Sequence, residues 1–144
     1  MNQEFKQCLE NEKIVSFARG KKLVKKELSA AKSDLSDAKV GYENERYKWS
    51  TIQGYYAMFH AARALIYSQG YREKSHYCLA MALRALFVDE GTMDAQLVRD
   101  FLNAMNLREV ADYEAEFSQS GAKAVIASAE KFIEKAAAIL DISE

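Results

Sequence analysis

The chain has no proline in 144 residues. Proline marks loops, tight turns and sheet edges, so its absence argues against a loop-rich or all-β protein. Only two cysteines occur, Cys8 and Cys78. They make neither a disulfide framework nor a metal site, and two free thiols suit a reducing cytoplasm. Only two histidines occur, His60 and His76, which excludes a multi-histidine metal centre within one chain. No cofactor and no metal are expected. No uninterrupted apolar run approaches the ~18 residues that a membrane span needs. The start, MNQEFKQCLENEK, carries no apolar signal core. The expectation is a cytoplasmic protein without membrane contact. The formal net charge is −1, so no global basic field exists, and any contact with nucleic acid must be local.

What remains is rich in helix formers. From Trp49 to Ser68 the residues Trp49, Ile52, Tyr56, Phe59, Arg63 and Ile66 step by three or four, placing them on one helical face. Tyr55, Met58, Ala62 and Leu65 make an adjacent apolar strip. A helix apolar over most of its circumference is buried on several sides. Gly54 is its weak point, and Gln69-Gly70 fits its C-terminus. A first long helix is expected over 22–41, stopped by Gly41. Ser75 can cap another that runs to about Asp89, after a tight turn GYREKSH. Thr92 can cap a fourth that continues helically through 107–117. A break over Ser118 to Gly121 precedes a last helix from about Ala122 to Leu140. Residues 1–20 read as one or two short amphipathic helices laid across the bundle, and 21–144 as the bundle itself. The fold class is all-α: an up-and-down four- or five-helix bundle with short N-terminal helices.

Three polar groups stand out. His60 lies three residues before Arg63 on the central helix; such a histidine is more often a hydrogen-bonded core residue than a catalyst. Arg72, Lys74 and His76 crowd a helix N-terminus, where free amides add to positive potential and suit an anion. Arg108 and Asp112 are four apart and can pair on one face, with Tyr113 nearby. The run Lys21, Lys22, Lys25, Lys26 reads first as a solvated helix face and second as a phosphate or partner contact. No phosphate-binding glycine loop, zinc spacing or GxSxG occurs.

The segments YYAMFHAARALIYSQGYREKSH, LREVADYEAEF and AEKFIEKAAAI resemble the HEPN family, the higher eukaryote and prokaryote nucleotide-binding domain. The narrower likeness is to small stand-alone prokaryotic members, from about residue 22 onward. The resemblance implies a homodimer with a groove between protomers, and often a minimal nucleotidyltransferase partner acting as antitoxin. Ribonuclease members carry Arg, four to six residues, then His, and cut RNA without metal. Arg108 matches that arginine, but Tyr113 stands where the histidine would follow. In some toxin members a tyrosine just past that histidine receives AMP; with the histidine missing here, Tyr113 is only a loose positional candidate for that role.

The expected function is a nucleotide- or RNA-binding module, the HEPN component of a toxin–antitoxin or nucleotidyltransferase pair. Its expected contacts are Tyr55, His60, Arg63, Arg72, Lys74, His76, Arg108 and Asp112. The alternatives are a metal-independent endoribonuclease using Arg108, Tyr113 and His76, and a non-catalytic helical assembly protein.

Overall fold

A computed structural model describes residues 2–142. Helix α1 (Gln3–Glu10) leads to strand β1 (Ile14–Ser16) and a 3-10 turn (Ala18–Lys22). Helices α2 (Val24–Glu43) and α3 (Tyr47–Ser68) follow, then strand β2 (Tyr71–Glu73). Helix α4 (His76–Leu83) runs on into a π-helical turn (Arg84–Val88), and α5 (Ala95–Tyr113) and α6 (Gln119–Leu140) complete the chain. The all-α bundle is as expected, built on α2, α3, α5 and α6.

Helix α3 is the axis. Fourteen of its 22 residues are buried, which places neighbours on most of its sides, and it packs against α2, α5 and α6. Its alanines at 57, 61, 62 and 64 are fully buried and bring those neighbours close. Gly54 explains itself in three dimensions: a Cβ there would stand 2.8 Å from Val125 Cγ1 of α6. The helix-propensity cost of a glycine, about 1 kcal/mol, is accepted so that α6 can approach. Gly70, at φ +83°, makes the left-handed turn from α3 into β2.

Several local expectations are corrected. The N-terminal segment is one helix and then a strand, and the expected turn GYREKSH contains the other strand. β1 and β2 pair antiparallel, Ile14 with Glu73, Val15 with Arg72 and Ser16 with Tyr71. Two such short strands persist because Ile14 and Glu73 are buried against the bundle. Cys8 and Cys78 are not free thiols; they form a disulfide, with Cα atoms 5.8 Å apart, that ties α1 to the first turn of α4. The thiol argument for a cytoplasmic setting therefore falls away. Trp49 does not join the buried face of α3 but is 53% exposed. It sits in the first turn of the helix, beside the α2–α3 connection, in an open cleft with Val40, Asn44 and Arg46.

Helix ends also move. Gly41 does not stop α2, which continues to Glu43. Asp94, not Thr92, caps α5: its carboxylate accepts from Gln96 N, whereas the Thr92 hydroxyl donates back to Phe87 O. Helix α5 ends at Tyr113 instead of running through 117, leaving Phe117 in the connection and half exposed. Ser118 caps α6 by accepting from Gly121 N at 2.9 Å, so that helix begins three residues earlier than its composition suggests. Among the described residues no helix is long and apolar enough to cross a membrane.

Candidate functional site

Tyr55 and Tyr56 are consecutive on α3, so they point about 100° apart around the helix. Tyr55 is wholly buried, stacked on Phe101 of α5 with ring centroids 5.5 Å apart. Its hydroxyl lies 2.6 Å from His76 Nδ1. Tyr56 is half-buried and accepts a hydrogen bond from Arg108 Nη2 at 2.7 Å. The Arg108 guanidinium carbon lies 5.2, 5.6 and 5.8 Å from the ring centroids of Tyr56, Tyr113 and Tyr55. Asp112, one turn on, approaches Arg108 at 3.8 Å. Residues from α3, α4 and α5 thus converge: Arg108 and His76 are brought together through the tyrosine pair.

The ring of His76 is held by packing as well as bonding. It stacks on Phe59 at 4.6 Å and sits at the first position of α4, after the Ser75 hydroxyl has capped that helix at Cys78 N. Burial, and then the positive charge of Arg108, push its pKa below the ordinary 6.5. Burial drives the Tyr55 phenol upward, against the pull of Arg108. A neutral imidazole beside a protonated phenol has one consistent arrangement. The phenol donates to Nδ1, since the Tyr55 proton has no other acceptor among the described residues. His76 Nε2 then carries the ring proton and is a donor. On the Arg108 side, Nε is buried and meets no acceptor among the described residues. That Nε is out of a ligand's reach, but the guanidinium charge beside an imidazole N–H is the chemistry of anion recognition.

The His76 titration is testable. By NMR its midpoint should lie below 6.5, and it should rise in Arg108→Ala, where the cation is gone. Because the folded value is depressed, this residue's stabilising contribution is complete above the unfolded value and is lost as pH falls toward the folded one. A midpoint at or above the ordinary value would show a ring open to water.

His60 and Arg63 lie elsewhere, in a second cluster. Arg63 forms a two-bonded pair with Glu73 of β2 (Nη2 2.7 Å, Nε 3.3 Å) and also reaches Glu27 of α2 at 3.1 Å. His60 Nδ1 is 3.1 Å from Glu27, and Nε2 is 3.5 Å from Asp34. Burial pushes the Glu27 carboxyl up, but hydrogen bonds and charge from His60 and Arg63 outweigh it and hold the group below its ordinary value. Asp34 is pushed up by burial despite His60. This arrangement bonds all three nitrogens of Arg63 to carboxylates and locks α2, α3 and β2 together. Phe59 bridges the clusters: the Arg63 guanidinium is 4.5 Å from the centroid of the ring on which His76 stacks.

Arg72 and Lys74 separate from His76. Both are exposed on the outer face of the β-ribbon, Arg72 lying 5.2 Å from the ring of Phe17. Sequence reasoning did not place Tyr56 or Phe59 in the site, nor Glu27, Asp34 and Glu73 in the second cluster. One signal was available: an arginine in the middle of a buried helix requires a carboxylate. Which carboxylate could not be read, because Glu73 lies between two exposed cations and Glu27 follows a lysine run.

The fold and this cluster define a helical-bundle module with an arginine, an imidazole and tyrosines gathered between three helices. The chain belongs to the HEPN domain family, whose model matches residues 24–140. A Methanocaldococcus jannaschii protein named "Putative toxin MJ0605" is 31% identical over 109 residues, 75% of this chain and 81% of that protein. A Thermotoga maritima UPF0332 protein is 28% identical over 127 residues, 87% of this chain and 89% of that one. An Archaeoglobus fulgidus UPF0332 protein is 32% identical over 104 residues, 71% and 82% of the two chains.

Proposed function

We propose that this chain is the HEPN component of a toxin–antitoxin or nucleotidyltransferase pair, and that it binds the phosphate of a nucleotide or RNA at the Arg108–His76 cluster. The observation that carries this reading is the convergence of Arg108 and the His76 ring, from distant parts of the chain, on one tyrosine pair: Arg108 donates to Tyr56, and the His76 ring meets the Tyr55 hydroxyl. The rim supports it. Tyr77 and Tyr113 are 54% and 75% exposed beside His76 and Arg108, and exposed aromatic faces suit base stacking. The name of the M. jannaschii relative agrees with a toxin system. A homodimer, with two such clusters facing across a groove, is part of the proposal.

The hydrogen-bond arrangement favours binding over catalysis. A ribonuclease needs an imidazole lone pair to take the 2′-hydroxyl proton. Here Nδ1 is engaged by the Tyr55 hydroxyl at 2.6 Å, and a phenol that donates to it leaves the ring proton on Nε2. Tyr113, with a phenol pKa ordinarily near 10, is a poor base at neutral pH.

The test is fluorescence anisotropy of labelled RNA and of a labelled adenine nucleotide across a salt series, with the RNA then run on a gel. Binding that weakens as salt rises, with the RNA intact, is the expected result. Affinity indifferent to salt, or no binding, overturns it. Cleavage that survives EDTA and is lost in Arg108→Ala would establish the ribonuclease reading instead.

A further inference from the structure

The cations of this chain are not spread evenly. Eight of its 20 lysines and arginines are the six within residues 13–26, together with Arg72 on the paired strand β2 and Lys74 just after it. From Lys13 through Lys26 there is no acidic residue, while the whole chain carries 21 acids and a net charge of −1. The rest of the surface is therefore strongly negative, and this region is a basic island on it.

The fold makes these residues one surface. Lys13 O accepts from Lys74 N at 2.8 Å, and Val15 pairs with Arg72, so the ribbon sets Lys13, Arg72 and Lys74 side by side. Strand alternation puts all three on the face opposite buried Ile14 and Glu73. Phe17 continues that face under Arg72, and the 3-10 turn that follows carries Arg19, Lys21 and Lys22. Lys25 and Lys26 extend the surface along the first turn of α2, and Lys21, Lys22 and Lys25 line one open cleft with Ser68 and Asp141. All eight cations are exposed, and none forms an ion pair among the described residues. The one acid in the ribbon, Glu73, is buried and held by Arg63. Glu10 and Glu12 mark the edge.

We infer that this ridge is a docking surface for the phosphate backbone of a polynucleotide strand, separate from the Arg108–His76 cluster. Six of its eight cations are lysines, which serve as point charges toward phosphate. Protein interfaces are depleted in lysine, so an acidic protein fits poorly. A membrane surface fits poorly too, because the ridge exposes no large apolar side chain to insert. Half of the ridge, Lys13, Arg19, Lys21 and Lys22, precedes residue 24, where the family match begins, and the other half lies within that match. The ridge adds to the function proposed above a preference for polymer over mononucleotide.

The experiment uses the full chain and a labelled single-stranded RNA of about 12 nucleotides, within the usual span of a single-strand site. Anisotropy is measured across a potassium chloride series for the wild type, for Lys21→Ala/Lys22→Ala/Lys25→Ala/Lys26→Ala, and for the same four positions changed to arginine. The alanine variant should lose on the order of 10- to 100-fold in affinity at low salt, and its log–log salt slope should shrink by about 3. The arginine variant should retain both. Binding of the adenine nucleotide should not change. Circular dichroism and the melting temperature check that the variants fold.

An alanine variant that binds RNA as the wild type does overturns the inference, and so does a wild type that binds no RNA. Sedimentation with anionic phosphatidylglycerol vesicles, lost in the alanine variant while RNA is ignored, overturns it in favour of a membrane. The two surfaces fail separately. Loss of RNA binding in the alanine variant with none in Arg108→Ala supports the ridge and removes the cluster reading, and the reverse pattern does the opposite.

Discussion

Arg63→Ala should destabilise the folded chain by about 3–5 kcal/mol, the usual cost of removing one partner from a buried ion pair. The Glu73 side chain is 6% exposed and that of Glu27 12%, and Arg63 bonds to both. Without the guanidinium Glu73 becomes a buried carboxylate with no cation beside it, and Glu27 keeps only His60. The loss reaches beyond the pair, because Glu73 anchors β2 and through it the register of β1. For a domain of this length the melting temperature should fall by roughly 10 °C or more. Replacing Arg63 and Glu73 together with leucine and methionine should recover much of the loss, since well-packed apolar groups often substitute for a buried pair. Urea unfolding of the single and double variants measures both effects. A loss below about 1 kcal/mol, the range of exposed ion pairs, would show that water reaches the cluster. The cluster also gives acid sensitivity. The Glu27 carboxyl is depressed, so its contribution is present above the unfolded value near 4.5 and disappears as pH falls through the folded one. In Arg63→Ala this acid-side loss should be smaller, because one of the two groups that depress Glu27 is gone.

Arg108→Ala should cost about 100-fold in affinity for RNA or nucleotide, equivalent to about 3 kcal/mol for a charged group in a partly desolvated site. The guanidinium is oriented by Tyr56, flanked by three aromatic rings and only 13% exposed, so its field is little screened. Arg108→Lys keeps the charge but loses the planar fork, and should fall between, near 10-fold. Asp112→Ala removes the carboxylate that, among the described residues, pairs with Arg108, and should leave affinity equal or higher. Anisotropy at fixed salt reads all three variants. An Arg108→Ala protein that binds like the wild type would remove this residue from the site. Folding should change little, because the main bond lost is one to the half-buried hydroxyl of Tyr56.

The helices were legible in residue spacing because burial imposes a period of 3.6. The long apolar face of α3 and the stripe of α6 needed no partner to be seen. Their ends were less legible. Thr92 and Asp94 are both good cap residues two apart, and only backbone geometry chooses Asp94. Trp49 follows the period of the buried face yet is exposed, because in the first turn of α3 it lines an open cleft against the end of α2 and the α2–α3 connection. The strands were invisible: three residues carry too little alternation to read, and each strand exists only because the other lies beside it. The disulfide joins residues 70 apart, a distance in sequence that composition does not bridge.

The candidate cluster divides in the same way. Arg108, Asp112 and Tyr113 share one helix, so spacing alone placed them together. His76 seemed to belong with Arg72 and Lys74, its neighbours in sequence. Strand alternation turns those two outward, while the N-cap at Ser75 starts a helix that turns the imidazole inward to Tyr55.

By itself the sequence determined a proline-free helical bundle and its central helix, because periodicity and composition are local properties of a chain; its family showed in the resemblance of a few segments. Only the tertiary structure decided which arginine meets which carboxylate, that Cys8 and Cys78 join, and that Arg108 and His76 share a tyrosine pair. Those pairings are set by the packing of α2, α4 and α5 around α3, and no local pattern records where distant segments will meet.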